Sequence, residues 1–272
     1  MLREKNFDTG TVAIHYGEGP PSGKPLVLLH GVTTWWQTFL PVLPNFMIRY
    51  HTYALDLRGH GGSGRTPGAY SISNDVADVV SFLRDCVQEP AVLLGWSLGS
   101  IVAMFVAAAA PELVRAVVLD DPPLAMLTDD DSSLARVYEG FGLLRDLLTQ
   151  EGSADARLAA IAALNPADDD VQNRRRRKMY SGFDPEHLTL LLERKRFEQK
   201  RLEAVLPRIT CPVLLLQGDV SVGSALDDQT VQAALPLLAD CALVRMQGVG
   251  HNLHAEQPVS FSRIVMDFLE SL

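Results

Sequence analysis

The sequence has little cysteine and no long apolar run. Its three cysteines are scattered and odd in number, which fits free thiols in a reducing compartment better than a disulfide framework. No stretch contains the roughly 18 consecutive apolar residues that a membrane-spanning helix requires, and the first residues lack the apolar core of a signal peptide. We therefore expect a cytoplasmic protein without a membrane partner.

The sequence also lacks the usual patterns for metals, nucleotides and nucleic acids. No spacing of histidine, cysteine and carboxylates suggests a metal site, and the glycine-rich stretch 59–64 lacks the Lys-Ser/Thr ending of a phosphate-binding loop. Residues 174–178 are all basic, but the net charge is -9 and three aspartates at 168–170 lie close by, which favours a solvated helix face. We expect no metal, no cofactor and no nucleic-acid partner.

Apolar runs typical of buried strands alternate with helical patterns, which predicts an α/β fold with a doubly wound, mostly parallel sheet. A chain of 272 residues with 47% hydrophobic content can bury a large core. Helices are predicted at 75–88 and 100–110. The predicted strands are 11–16, 26–29, 51–55, 92–94, 116–119, 213–216 and 243–246.

This alternation disappears between residues 122 and 205. The composition there turns to leucine, alanine and charge, with helical spacing at 134–150, 154–164, 171–180 and 186–206. We interpret 122–205 as an inserted helical cap, and 1–121 together with 206–272 as the core domain.

The most informative motif is Gly-x-Ser-x-Gly at 95–99, which follows a buried-strand run and precedes a helical pattern. This is the context of a nucleophile elbow, a tight strand-to-helix turn that holds its serine in a strained conformation. Ser97 is therefore the candidate nucleophile. An ordinary glycine-rich turn with a capping serine is the alternative interpretation.

A second strand ends in His30-Gly31-Val32, where glycine allows a sharp turn. Attack by a serine on a carbonyl creates an oxyanion, which two backbone N–H groups fixed in advance can stabilise. We assign these donors to Val32 and Leu98. His30 is interpreted as structural.

A serine hydroxyl needs a base, and imidazole has a suitable pKa. His251 follows Gly248-Val249-Gly250 after the last predicted strand, late in the chain as the order Ser, acid, His requires. His254 is the nearest competitor, but it lacks the preceding glycine turn.

These motifs, together with the stretch 56–64, resemble the α/β-hydrolase superfamily over about residues 8–121 and 206–272. In the commonest pattern of that superfamily, the acid would stand at position 221, which here is Ser221. Some relatives, including lactone-cleaving and dehalogenating members, carry the acid at the end of the strand after the nucleophile helix. The resemblance therefore points to Asp121, which lies 24 residues after Ser97 (121 minus 97).

Consecutive strand residues face opposite ways, so Asp120 and Asp121 cannot both point at His251. We choose Asp121, which is one step nearer the catalytic face. Asp219 is the alternative acid because it follows a strand-ending glycine, and Asp120, Asp227 and Asp228 remain further candidates.

The resemblance implies a serine hydrolase that cleaves a small, mostly apolar carboxylic ester or lactone through an acyl-enzyme. A carbon-carbon bond hydrolase or perhydrolase of the same fold is the alternative, and a slow-turnover small-molecule receptor is an alternative of another class. The substrate pocket is predicted to be apolar. Its expected lining residues are Trp35, Trp36, Trp96, Leu124, Met126 and Phe141.

Overall fold

The computed structural model describes residues 2–164, 169–198 and 200–272. Within these residues, eight strands form one sheet in the order β1-β2-β4-β3-β5-β6-β7-β8. β1 and β2 run antiparallel at one edge, and β2 is also antiparallel to β4, whereas the remaining neighbours are parallel. The strands are β1 (Arg3–Asp8), β2 (Ala13–Glu18), β3 (Lys24–Leu29), β4 (Tyr50–Leu55), β5 (Ala91–Trp96), β6 (Val114–Asp120), β7 (Val213–Gln217) and β8 (Cys241–Arg245).

Helices cover both faces of the sheet and fill the long segment between β6 and β7. In the described residues they are α1 (Leu43–Phe46), α2 (Ile72–Phe82), α3 (Leu98–Ala109), α4 (Ala135–Thr149), α5 (Ala154–Ala163), α6 (Asp170–Ser181), α7 (Glu186–Leu192), α8 (Leu202–Val205), α9 (Asp228–Ala234), α10 (Leu253–Glu256) and α11 (Pro258–Glu270). None of them is both long and apolar enough to cross a bilayer.

The predicted strands are confirmed as β2 to β8, with ends shifted by a few residues. β1 was not predicted, because its sequence Arg-Glu-Lys-Asn-Phe-Asp has no apolar alternation. Only Phe7 is partly buried in this edge strand. Its stability comes from backbone pairing with β2 in addition to side-chain burial.

The side chains of each central strand alternate between two hydrophobic clusters, one on each face of the sheet. In β6, Val117 and Leu119 belong to the cluster that contains α3, whereas Ala116 and Val118 belong to the cluster that contains residues of α11. Since successive strand residues face opposite ways, Asp120 continues the α11 side. This alternation decides where the two aspartates at the end of β6 point.

The prediction of a single helix at 186–206 is wrong. The chain forms α7 and α8 instead, and between them Arg194 and Glu198 adopt positive φ angles of 55° and 51°. The intervening turn buries Arg196 completely and pairs it with Asp75 of α2. A continuous helix would not allow this long-range ion pair.

Part of the basic run at 174–178 fastens α6 to the core. The Arg175 guanidinium donates to the Gln37 carbonyl oxygen at 2.6 Å, and the Lys178 ammonium lies 5.3 Å from the centre of the Trp35 ring. Asp169 caps α6 by accepting from the Gln172 N–H at 2.8 Å, whereas Asp168 lies outside the described residues. These contacts give two of the basic residues a role in docking the helix.

Candidate active site

Ser97 lies in a strained turn between β5 and α3, with φ 54° and ψ -118°. Such a positive φ is unfavourable for a residue with a side chain, and it persists only where the surroundings impose it. A Cβ atom at Gly95 would overlap the Gly99 backbone, and one at Gly99 would overlap the carbonyl of Leu29. The two motif glycines therefore allow the close packing of strand and helix that the turn requires.

Asp121 and His251 are hydrogen-bonded at 2.7 Å between Oδ2 and Nδ1. Asp121 follows the last residue of β6, has a φ of 46° and is fully buried. Its carboxylate also accepts from the N–H groups of Gly218 (2.9 Å) and Ala225 (2.7 Å) and from the Ser224 hydroxyl (2.5 Å). The Asp121 carboxylate is thus an acceptor in all of its hydrogen bonds, so Nδ1 of His251 is the donor in theirs. Nε2 of His251 is then free to act as a base.

The alternative acids have other partners. Asp219 is partly buried and accepts from the N–H groups of Ser221 (2.9 Å) and Gly248 (3.0 Å), and the Ser221 hydroxyl lowers the pKa of its carboxyl. Asp227 caps α9, and Asp228 pairs with Arg245 at 3.2 Å. Asp120 points to the α11 face and bonds His254. Of these candidates, the structure brings only Asp121 to His251.

The two predicted oxyanion donors lie beside Ser97. Val32 and Leu98 line the same cavity as Ser97 and His251. Within the part of the chain that the structure describes, neither backbone N–H donates a hydrogen bond to another residue. Unpaired N–H groups next to a serine can stabilise an oxyanion without reorganising.

His30 stabilises the loop that contains Gly31 and Val32. Its Nδ1 bonds the Gly31 carbonyl oxygen at 2.8 Å, and its Nε2 accepts from the Leu57 N–H at 3.0 Å. Burial lowers the pKa of His30, so the ring is neutral at physiological pH. Both ring nitrogens are occupied by backbone groups, as expected for a structural histidine.

The cavity at Ser97 has a volume of about 170 Å³ and a mainly apolar wall. Half of its lining residues come from the segment between β6 and β7. The lining residues are Val32, Ser97, Leu98, Pro123, Met126, Val137, Phe141, Leu191, Phe197, Gly223, Ala225 and His251. Among the described residues, no group of three or more histidine, cysteine or acidic side chains could hold a metal ion.

Residues 26–264 match the model of the alpha/beta hydrolase family, a range that contains the Ser97 turn, Asp121 and His251. The chain belongs to the alpha/beta hydrolase family. The eight-stranded sheet with helices on both faces agrees with this assignment. The protein is therefore a hydrolase by family.

Several characterised proteins resemble this hydrolase over most of its length. The 2-(acetamidomethylene)succinate hydrolase of Mesorhizobium japonicum is 27% identical over 98% of this chain and 95% of the relative. A pimeloyl-[acyl-carrier protein] methyl ester esterase of Xylella fastidiosa is 26% identical over 84% of this chain and 88% of the relative. The naproxen esterase structure from Bacillus subtilis has a TM-score of 0.75 at 19% identity and covers 99% of this chain and 92% of its own, which shows a shared fold.

The predicted pocket residues are only partly found in the wall of the hydrolase cavity. Met126 and Phe141 line it, whereas Trp35, Trp36, Trp96 and Leu124 do not. Leu124 is packed in the core cluster on the α3 side, and Trp36 and Trp96 lie in the cluster on the α11 side. Proximity in sequence to the Ser97 and Val32 loops did not indicate which face of the loop each ring would occupy.

The aromatic and aliphatic residues that line the cavity from further along the chain were missed. Leu191 and Phe197 lie on and just after α7, and Gly223 and Ala225 follow β7. No local sequence signal distinguishes these apolar residues from those that pack the core. The turn that follows α7, in which Arg194 and Glu198 have positive φ angles, brings Phe197 back to the site.

Proposed function

We propose that this protein is a serine hydrolase that cleaves a carboxylic ester or lactone of a small, mostly apolar molecule. Ser97 is the nucleophile, His251 the general base and Asp121 the residue that orients and stabilises His251. The observation that carries the proposal is the hydrogen bond of 2.7 Å between His251 and Asp121 next to a cavity that both Ser97 and His251 line.

The reaction begins when Nε2 of His251 accepts the hydroxyl proton of Ser97 as its Oγ attacks the substrate carbonyl carbon. The N–H groups of Val32 and Leu98 stabilise the resulting oxyanion, and Asp121 stabilises the imidazolium. His251 then gives the proton to the departing alkoxide, which leaves an acyl group on Ser97. Water, with His251 again as base, releases the carboxylic acid and restores the serine.

The cavity wall favours an apolar acyl group. Ser97 and His251 are its polar side chains, and no arginine or lysine lines it among the described residues. A substrate with two carboxylates, as the name of the Mesorhizobium relative implies for that protein, would have no cationic partner there. The relatives named as esterases support an ester as the substrate.

We also infer that residues 122–205 act as a cap. They supply half of the cavity wall, including Met126, Phe141 and Phe197. An apolar cap excludes water from the oxyanion and strengthens the hydrogen bonds that stabilise it.

The test is hydrolysis of a panel of short and medium p-nitrophenyl esters and lactones by the wild type and three variants. We expect Ser97→Ala to remove activity, because the acyl-enzyme cannot form, with a loss on the order of 10⁴-fold or more in kcat. Asp121→Asn should lose on the order of 10⁴-fold, since the orienting carboxylate is gone.

Asp219→Asn is the matched control, because this carboxylate accepts from the backbone N–H groups of Ser221 and Gly248 and from the Ser221 hydroxyl and, within the residues that the structure describes, makes no hydrogen bond with His251. It should retain kcat within about twofold. Equal losses in Asp121→Asn and Asp219→Asn would contradict the assignment of the acid. A wild type that binds a lactone tightly and turns over none of the panel would support the receptor interpretation instead.

A further inference from the structure

A second histidine-aspartate pair lies directly beside the first. Nδ1 of His254 is 2.6 Å from Oδ2 of Asp120, and both side chains are fully buried. The two pairs use consecutive aspartates, Asp120 and Asp121, and histidines three positions apart, His251 and His254. The strand alternation at the end of β6 sends Asp120 to one side and Asp121 to the other.

His254 does not face the cavity. Its other ring nitrogen, Nε2, is 3.4 Å from the Thr38 hydroxyl, and its ring packs against Phe39 with centroids 4.9 Å apart. Neither His254 nor Asp120 is among the residues that line the cavity at Ser97. Direct contact of either side chain with a substrate at Ser97 is therefore excluded.

Trp96 joins the second pair to the first. Its ring centre is 5.1 Å from that of His254, in an edge-to-face arrangement, and 5.4 Å from that of His251. Its indole N–H donates to the backbone carbonyl oxygen of His251 at 2.8 Å. A displacement of the His254 ring would therefore displace Trp96 and, through it, His251.

Trp96 also touches the loop of the oxyanion donors. A Cβ atom at Gly31 would lie 2.9 Å from the Trp96 ring and 3.1 Å from the Ser97 Cβ, so the loop before Val32 rests on this ring. The indole thus contacts the His251 loop and the Val32 loop, and it precedes Ser97 in the chain.

Asp120 is linked to the nucleophile through its backbone. Its carbonyl oxygen accepts from the Ser97 N–H at 3.1 Å and from the Ser100 hydroxyl at 3.3 Å. Trp96 and Asp120 are also register partners of the parallel strands β5 and β6. The residue that bonds His254 therefore also fixes the turn that presents Ser97.

Burial raises the pKa of Asp120, whereas His254 acts in the opposite direction. The second oxygen of the Asp120 carboxyl, Oδ1, has no hydrogen-bond partner within the described residues. His254 is thus the side chain that compensates this carboxyl for the loss of water. Removing the imidazole would leave both oxygens of this buried carboxyl without a hydrogen-bond partner in the described part of the chain.

We propose that His254 and Asp120 form a positioning pair that holds Trp96, and through it His251 and the oxyanion loop, in register with Ser97. The proposal rests on the proposed function of Ser97, His251 and Asp121. It assigns to His254 no proton transfer with the substrate. The pair sets the distance between His251 and Ser97, and a misplacement of about 1 Å at such a site can cost on the order of 100-fold in rate.

The experiment compares His254→Leu, His254→Asn and Trp96→Phe with the wild type on the best ester of the panel. Leucine fills the space without a donor, asparagine restores an N–H near the position of Nδ1, and phenylalanine deletes the indole N–H that binds His251. We expect His254→Leu to lower kcat by about 10- to 100-fold with KM within about twofold. His254→Asn should recover much of this loss, and Trp96→Phe should also lower kcat.

The matched control is His15→Leu. His15 forms a similar pair with Asp56, at 2.8 Å between Nδ1 and Oδ2, and neither residue lines the cavity. Its variant should keep kcat within about twofold while losing some thermal stability. If His254→Leu and Trp96→Phe behave as His15→Leu does, the pair is only structural and the proposal is overturned.

A second readout does not depend on turnover. We expect a low-field NMR resonance from the proton that His251 Nδ1 shares with Asp121, and this resonance should shift or broaden in His254→Leu and stay unchanged in His15→Leu. A wild type that hydrolyses no ester and no lactone of the panel would refute the proposed function, while this resonance still decides whether His254 positions His251. An unchanged resonance in His254→Leu would overturn the positioning pair.

Discussion

Helices α3 and α6 both contain 12 residues, but they differ completely in burial. In α3 every residue from Leu98 to Ala108 is buried, whereas α6 buries none. α3 packs on the sheet and begins with Leu98, which we propose as an oxyanion donor, while α6 is attached to the core by polar contacts such as the Arg175 bond to Gln37. The helix that begins beside Ser97 is thus fixed by close packing, whereas α6, which does not line the cavity, is fixed by a small number of specific contacts.

The largest expected effect is on the free energy of unfolding. It comes from adding a methyl group to the buried helix α3, in contrast to the same change in α4, a helix of the segment between β6 and β7. Gly99→Ala in α3 would force a Cβ into the Leu29 carbonyl, so we expect a loss of about 3 kcal/mol or more in the free energy of unfolding. Gly142→Ala in α4 meets nothing within 4 Å and should gain about 0.5–1 kcal/mol from helix propensity. Urea unfolding measures both, and similar values for the two variants would contradict the contrast.

The second prediction concerns the ion pair that joins the helical segment to α2. Arg196→Met leaves the buried Asp75 without its partner, so we expect a loss of about 3–5 kcal/mol. Arg194→Met, two residues earlier, removes an exposed pair with Asp131 and should cost less than about 1 kcal/mol. If the order of the two losses is reversed, Arg196 is not the residue that anchors the segment.

The third prediction is a loss of stability in acid. His30, His60 and His187 are buried, and burial lowers the pKa of each ring below its ordinary value of 6.5. Below pH 6.5 each of these three rings therefore binds more protons in the unfolded chain than in the folded chain. The stabilisation is complete above this pH and is lost as the pH falls, by up to about 1.4 kcal/mol per pH unit for each histidine.

The measurement is the free energy of unfolding at several values between pH 7 and pH 5. His187 lies where α7 meets the core, with its ring 4.4 Å from that of His60. His187→Phe should reduce the dependence of the free energy of unfolding on pH by the contribution of about one proton. An unchanged slope would mean that His187 is protonated in the folded protein.

The smallest expected effect concerns substrate affinity. Phe141 of α4 lines the cavity, and Phe141→Ala should raise KM by about tenfold, since a lost apolar contact of about 1.4 kcal/mol corresponds to that factor. Leu143 on the same helix is 52% exposed and does not line the cavity, so Leu143→Ala should leave KM within about twofold. Equal KM values for the two variants would remove α4 from the binding wall.

Local sequence was sufficient for features in which neighbouring residues constrain each other. The Ser97 turn could be predicted because its flanking glycines are required by contacts within the motif itself. Strands β3, β5, β6 and β7 could be predicted because their apolar runs are buried on both faces of the parallel part of the sheet. β1 and the break between α7 and α8 could not, because pairing with β2 and the Arg196 contact with Asp75 come from distant parts of the chain.

The sequence by itself determined the order of the motifs, the α/β architecture and the candidate pair Ser97 and His251. Tertiary structure alone decided that Asp121 bonds His251 and Asp120 bonds His254, because this depends on where β6 ends and on a positive φ at Asp121. It also decided which apolar side chains face the cavity. Apolar side chains are chemically alike in sequence, and only packing against distant residues separates a binding wall from a core.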